Sequence, residues 1–279
     1  MKTRLLLASA LSSLALSGSA WAITIDGNLS DWGVTAPSWT PTLGIRSTIE
    51  DQTGSGSYYL NPGWGGQAYD AEALYATISG TKLYIALATG HNPRTLQNPA
   101  ANSYGAGDFA IDFGRNGSYE VGININHALT NTGSTYTFEH TFVEGGVYKN
   151  PTWNLGLWNT SGLYDPSHPD PLHPTYLTGG TKIGDASLAY TTTGVTGFGA
   201  VAADQHFFYE MSVPLSVLIA GGWDGHSSFN IHWTENCAND SILVSTPLVP
   251  TYDRVPEPGS LALLGIGLVG LAAVRRRRI

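Results

Sequence analysis

Phe109-Ala110-Ile111-Asp112-Phe113-Gly114-Arg115-Asn116-Gly117-Ser118-Tyr119-Glu120-Val121-Gly122-Ile123-Asn124-Ile125 alternates large apolar residues with small or polar ones on both sides of a glycine-flanked turn. Period-two alternation marks half-buried strands, with Phe109, Ile111 and Phe113 on one face and Tyr119, Val121, Ile123 and Ile125 on the matching one. Asn116-Gly117 relaxes readily into positive φ, so the two runs are expected to fold back as a hairpin. Leu83, Ile85 and Leu87 repeat the pattern, as do Tyr136 to Val143, Phe207 to Val213 and Phe229 to Trp233. In the last run Phe229, Ile231 and Trp233 share one face, and Asn230, His232 and Thr234 the other. Only Pro214 to Ala220 suggests a helical turn, with Pro214 at its start, where a missing N–H costs little. Helical crossovers between parallel strands have no sequence to form them, so the pattern implies an all-β fold, an antiparallel two-sheet β-sandwich.

Asn150 to Gly180 carries five prolines among His, Asp and Thr and reads as a long surface loop, a common place for binding groups. Residues 246–254 read as a Pro-rich extended spacer. No internal repeat is evident.

Both ends of the chain carry export signals. Lys2 and Arg4 precede an apolar stretch from Leu5 to Leu16, and Ala20-Trp21-Ala22 supplies the small residues that signal peptidase requires. Residues 1–22 are therefore expected to be a signal peptide, cleaved after Ala22 to leave Ile23 as the mature N-terminus. At the other end Val255-Pro256-Glu257-Pro258-Gly259 is followed by an uncharged apolar run from Ser260 to Val274, and then by Arg275, Arg276, Arg277 and Arg278. As a helix that run would reach about 22 Å at ~1.5 Å per residue, short of a ~30 Å hydrocarbon core, so it inserts only marginally. The arginines would stay on the cytoplasmic side and leave the rest of the chain outside.

Motif, apolar helix and basic stop over residues 255–279 resemble, in that order, the PEP-CTERM sorting signal of Gram-negative bacteria. The resemblance implies that an exosortase recognises Pro256-Glu257-Pro258 and removes the tail after transient inner-membrane anchoring. The protein would then reach the cell surface or the extracellular matrix, in the setting of exopolysaccharide production and biofilm. An ordinary membrane anchor that is never cut would show the same apolar run and basic stop.

Once both ends are removed, residues 23–258 hold seven basic and 21 acidic residues, a net charge of −14. An acidic body without a basic cluster argues against nucleic-acid binding, which needs grouped Lys and Arg. Cys237 is the only cysteine, so no internal disulfide can form and the core must supply the stability. Residues 23–245 are long enough for one sandwich domain to do so.

Within that domain, Ile25-Asp26-Gly27-Asn28-Leu29-Ser30-Asp31-Trp32 resembles the opening of family 9 carbohydrate-binding modules and related DOMON-like sandwiches. Tyr69 to Tyr75 with Lys82 to Ala86 is similar to their first strands, and Tyr209-Glu210-Met211-Ser212-Val213-Pro214-Leu215 to their strand-to-turn element. Phe229 to Asp240 resembles the final strand common before PEP-CTERM tails, although many of those relatives have Gly where this chain has Ala238. The resemblance implies a sandwich and leaves the ligand open. Some DOMON-like domains hold haem between a Met and a His, but Met211 alternates with Phe207 and Tyr209 as a core residue would.

Trp39, Trp64, Trp153 and Trp158 lie in Gly/Pro/Asn-rich contexts, where an exposed indole could stack on the apolar face of a sugar; burial in the core is the alternative. Trp32 reads as a core plug. His168, Asp170 and His173 could surround a metal or belong to a solvated polar loop. Calcium suits an acidic extracellular sandwich better than zinc, with Asp26, Asp31, Asp108, Asp112 and Asp240 as candidate donors, although Asp-Gly-Asn and Asn-Asp are also ordinary turn formers. No nucleophile elbow, zinc-protease helix or phosphate loop is present, and Glu139, Glu144 and Glu210 show no pairing in one dimension. Glu210 reads as a carboxylate capping the turn after its strand, and Cys237 as an inert thiol without nearby Lys or Arg. The expectation is a non-catalytic protein without a required cofactor that binds polysaccharide. The alternatives are a secreted carbohydrate-active enzyme and a structural surface protein without ligand.

Overall fold

The alternating runs pair as antiparallel strands in the structure, a computed structural model that describes residues 23–51, 65–98, 101–125 and 142–246. In chain order the strands are β1 (Arg46–Ile49), β2 (Ala71–Ser79), β3 (Lys82–Thr89), β4 (Phe109–Asp112), β5 (Val121–Ile123), β6 (Gly146–Leu155), β7 (Pro174–Asp185), β8 (Ser187–Tyr190), β9 (Phe207–Pro214), β10 (Asn230–Thr234) and β11 (Ser241–Ser245). They form a five-stranded sheet, β1-β2-β3-β9-β8, and a six-stranded sheet, β11-β10-β4-β5-β6-β7. The one α-helix among the described residues, α1 (Leu215–Ala220), follows Pro214 directly, as the sequence leads one to expect.

Residues two apart fill the space between the sheets. Leu74, Leu83, Ile85, Leu87 and Met211 meet Phe109, Ile111, Val121, Ile123, Ile231 and Trp233 in one cluster, and every one of these side chains is fully buried. Met211 is therefore a packing residue. The five-stranded sheet is also covered on its other face. The N-terminal segment crosses it, and Leu29, Trp32, Val34 and Trp39 pack on Ala73, Tyr75, Ala86, Ala88 and Phe208. Burial on both faces explains why the small residues Ala86 and Ala88, which alternate with the large core residues of β3, are buried as well. A register shift between Ala71 and Ala73 turns both Ala71 and Leu74 into the inter-sheet core, while Ala73 faces the N-terminal cover.

Three local expectations need correction. The hairpin pairs Phe109 with Ile123 and Ile111 with Val121, but residues 113–120 connect the strands as a wide turn, with positive φ at Arg115 (54°) and Gly117 (80°). Asp112 accepts the Gly117 amide and Glu120 the Phe113 amide, each at 2.7 Å, so carboxylates replace the last ladder bonds. Tyr119 leaves the core face, its ring beside Trp153 and His232 and its hydroxyl donating to the Leu172 carbonyl at 2.7 Å. Asn150 to Gly180 is not one loop. Its two ends belong to β6 and β7, whose pairing shifts register around Pro151, and only residues 156–173 are irregular.

One strand has no counterpart in the sequence reading: β11, five residues directly before the expected spacer, with Ile242 and Val244 in the core and Leu243 outside. The signal peptide, residues 52–64, nearly all of the Tyr136 to Val143 run including Glu139, most of the spacer and the sorting tail lie outside the described residues. Among the described residues no helix is long and apolar enough to cross a membrane.

Candidate functional site

The turn joining β10 to β11 builds one end of the sandwich. Glu235 donates its amide to the Asp240 carbonyl at 2.9 Å, Ala238 donates to the Glu235 carbonyl at 2.7 Å, and Ala238 closes the turn at φ 57°. Glu235 Oε2 accepts both the amide and the thiol of Cys237 at 2.8 Å. Ala238 lies so close to Gly156 that a Cβ added there would meet the Ala238 Cβ at 1.9 Å. The 156–173 loop is thereby held against the turn, and Leu157 donates to the Cys237 carbonyl at 3.4 Å.

Between loop and turn opens a cleft of about 250 Å³, lined by Tyr69, Tyr104, Trp158, Tyr164, Cys237 and Asn239 among others. Tyr69 ends a 3-10 turn over Gly66–Tyr69, directly before β2. Its ring meets Tyr104 edge-on at 6.3 Å, and Trp158 meets Tyr164 edge-on at 5.9 Å. Asn159 Oδ1 accepts the amides of Ser161 and Leu163, tying the short loop that carries Trp158 and Tyr164. Tyr164 is 64% exposed, so the cleft presents aromatic faces to solvent.

The lining is uncharged at neutral pH. Burial raises the hydroxyls of Tyr69 and Tyr104 above the ordinary tyrosine value, and burial beside Glu235 raises the Cys237 thiol well above its own. Glu235 is pushed up to about 7 by burial, but it lies fully enclosed beneath Cys237, its other oxygen 3.6 Å from His91 Nδ1. His91, lowered to about 4 by burial, hydrogen-bonds through Nδ1 to the Ala68 carbonyl at 3.1 Å.

Further acids gather at the start of β2. Burial and the charges of Glu72 and Asp240 push Asp70 well up, so it keeps its proton and shares it with Asp240. Asp240 also accepts the Ala71 amide at 2.7 Å and the Ser241 amide at 2.8 Å. Burial lifts Glu50 and Glu72 to about 7 as well.

The tryptophans separate into different environments. Trp158 lines the cleft. Trp39 is 3% exposed, stacked on Phe198 at 4.9 Å with its N–H on Asp51, so it offers no face to a sugar. Trp153 is half-buried, against Tyr119 and over Gly122. Trp64 lies outside the described residues. Trp32 is the core plug expected of it.

The five aspartates do not converge. Asp26 accepts the Asn28 amide, Asp31 that of Thr24, Asp108 those of Ile125 and Leu177, Asp112 that of Gly117 and Asp240 that of Ala71. Each thus closes a local or cross-strand contact. His168 pairs with Asp165 at 3.3 Å, whereas His173 pairs with Asp170 at 3.0 Å and has its ring tilted against that of His232. No group of three or more His, Cys, Asp or Glu suited to a metal ion occurs among the described residues. Glu144 pairs with Arg94 at 3.2 Å. Glu210 caps the segment Asp26 to Trp32 and not the turn after its strand. It accepts the Trp32 indole N–H on one oxygen and the Asp26, Gly27 and Asn28 amides on the other.

Sequence reasoning missed Tyr69, Tyr104 and Tyr164. Only Trp158 and Tyr164 are close in the chain, and a glycine-rich context gave the tyrosines no periodic signal.

No curated protein and no solved structure matches the chain. The likeness of residues 25–220 to family 9 modules and DOMON-like sandwiches therefore has the two-sheet architecture alone behind it. Residues 254–278 match the model of the PEP-CTERM protein-sorting motif, and this tail marks an exported, exosortase-sorted surface protein.

Proposed function

We propose that the mature protein, residues 23–258, is a non-catalytic surface or matrix component that binds polysaccharide through the cleft at Trp158 and Tyr164. The observation that carries this reading is the pair of edge-on aromatic contacts around an open, uncharged cleft. Aromatic faces pack on the C–H face of a pyranose, while Asn102, Asn239 and two tyrosine hydroxyls supply hydrogen bonds to sugar hydroxyls. A hydrolase would need carboxylates reaching the bound glycosidic bond. No Asp or Glu is among the residues that line the cleft, and Glu235 behind it is sealed under Cys237, which favours binding over turnover.

A glycan array probed with residues 23–258 tests this. Binding lost in Trp158→Ala and in Tyr164→Ala is the expected result. An array without hits, or hits indifferent to both changes, would overturn it, and turnover of a bound polysaccharide would favour the enzyme reading.

The two ends supply the route in this reading. Signal peptidase cuts after Ala22, the apolar run holds the chain briefly in the inner membrane of a Gram-negative cell, and exosortase cuts at Pro256-Glu257-Pro258. Intact mass of the native protein, with and without exosortase, checks it: a species beginning at Ile23 and ending near Pro258 is expected only when the enzyme is present. A tail retained in both strains would make this an uncut membrane anchor.

A further inference from the structure

The cleft is one of three open depressions that share walls, beginning at one end of the five-stranded sheet and continuing along its edge strand β8. Tyr69 lines both the cleft and a second depression of about 450 Å³, which also holds Gln67, His91, Asn92 and Gln205. Asn92 in turn lines the second and a third, of about 580 Å³, where Arg94, Glu144, Tyr190 and Thr192 form the sides. The order follows the sheet. Tyr69 precedes β2, His91 to Arg94 follow β3, Gln205 precedes β9, and Tyr190 ends β8, and these four strands are neighbours in that order. Three steps between adjacent strands, each about 4.8 Å, span about 14 Å beyond the cleft. That is the reach of an oligosaccharide and not of a single ring.

The chemistry of the track changes along its length. Aromatic faces crowd the cleft, carboxamides of Gln67, Asn92 and Gln205 occupy the middle, and the far end has Tyr190 with the Arg94 guanidinium 5.1 Å above its ring. Arg94 is the one lysine or arginine on any of the three walls, where Glu144 already pairs with it at 3.2 Å, and burial keeps the His91 ring of the middle depression neutral. Glu72 lies just behind the middle, accepting from Gln67 at 2.7 Å. A polyanionic chain would find no counter-charge here, whereas hydroxyl groups would find amides and tyrosines.

We infer that the three depressions act as one groove that binds an internal run of an uncharged linear glycan, with Trp158 and Tyr164 at one end and Arg94 and Tyr190 at the other. This rests on the polysaccharide reading of the cleft and adds the length and charge of the ligand.

Calorimetric titration of residues 23–258 with neutral β-1,4-linked glucose, α-1,4-linked glucose and β-1,4-linked mannose series, disaccharide to hexasaccharide, tests it, with oligogalacturonate as the acidic comparison. The expected result is affinity rising about tenfold or more with length on the best neutral series. Arg94→Ala should weaken the hexasaccharide more than the disaccharide, and Trp158→Ala should weaken both. Length-independent binding that still needs Trp158, or tighter binding of oligogalacturonate, would overturn the groove and leave the cleft standing. Failure of every probe to bind would remove both.

Discussion

The Trp32 indole donates to Glu210 Oε1 at 2.6 Å, joining the 3-10 turn Leu29–Trp32 to the centre of strand β9. The other carboxylate oxygen receives the amides of Asp26, Gly27 and Asn28, so one buried side chain holds the Asp26 to Trp32 part of the N-terminal cover on the five-stranded sheet. Burial pushes the Glu210 carboxyl up to about 7 against the four donors that pull it down. Glu210→Ala should therefore cost about 3 kcal/mol in urea unfolding, since several buried donors lose their acceptor at once. Glu210→Gln should cost less, because it keeps one acceptor oxygen. Equal losses would mean that side-chain volume, and not hydrogen bonding, anchors the segment.

Ala238 adopts φ 57°, a conformation that Gly takes without steric cost. Ala238→Gly is expected to raise stability by roughly 0.5–1 kcal/mol, and Gly156→Ala to lower it because of the close approach to Ala238. Urea midpoints of the two variants check this. A fall in Ala238→Gly would show that the methyl packed on Gly156 outweighs the backbone strain.

Stability should decline as pH rises from about 5 to about 8. Glu50, Glu72, Glu210 and Glu235 are raised to about 7 and Asp240 to about 6, with burial the first cause in each. Because the folded form holds these protons more tightly than the unfolded chain, their contribution is complete below the unfolded value and disappears as pH passes through about 7. His91 and His206, lowered by burial to about 4, and His232, lowered to about 3, act oppositely, losing stability as pH falls below the unfolded value near 6.5. With Asp70, which burial and its acidic neighbours also push well up, six carboxyls against three imidazoles leave a net fall with rising pH. Thermal midpoints across this range give the test, and a midpoint that climbs toward pH 8 would contradict the assignment.

Trp153 and Trp158 should behave as opposites. Trp153 covers Gly122 in the six-stranded sheet, so Trp153→Ala should lower stability by about 2–3 kcal/mol and spare glycan binding. Trp158 borders an open cleft, so its removal should abolish glycan binding with little change in melting temperature. Calorimetry and thermal melting on both variants separate the roles.

Much of the inter-sheet core was legible one strand at a time. Leu83 to Leu87, Phe109 to Ile111 and Phe229 to Trp233 alternate because one face of each meets the core, and they are strands or strand edges in the structure. β6 and β7 were hidden by Pro151 and Pro174, which in isolation read as loop residues but here lie on a pair whose register shifts make room for them. β11 was hidden by its closeness to a proline-rich stretch. The cleft was only partly legible: Trp158 stood out by type, while Tyr69 and Tyr104 come from distant segments that meet it only when the sheets pack.

The sequence by itself determined the route and the class of fold. A sorting tail is read by its processing enzyme as a linear motif, and strand alternation is a local consequence of side chains pointing to opposite faces. The tertiary structure alone decided which aromatic rings face solvent together, that Trp39 is buried, and that Glu210 holds Trp32. Those facts depend on strand register and on the crossing of the N-terminal segment, which bring together groups far apart in the chain.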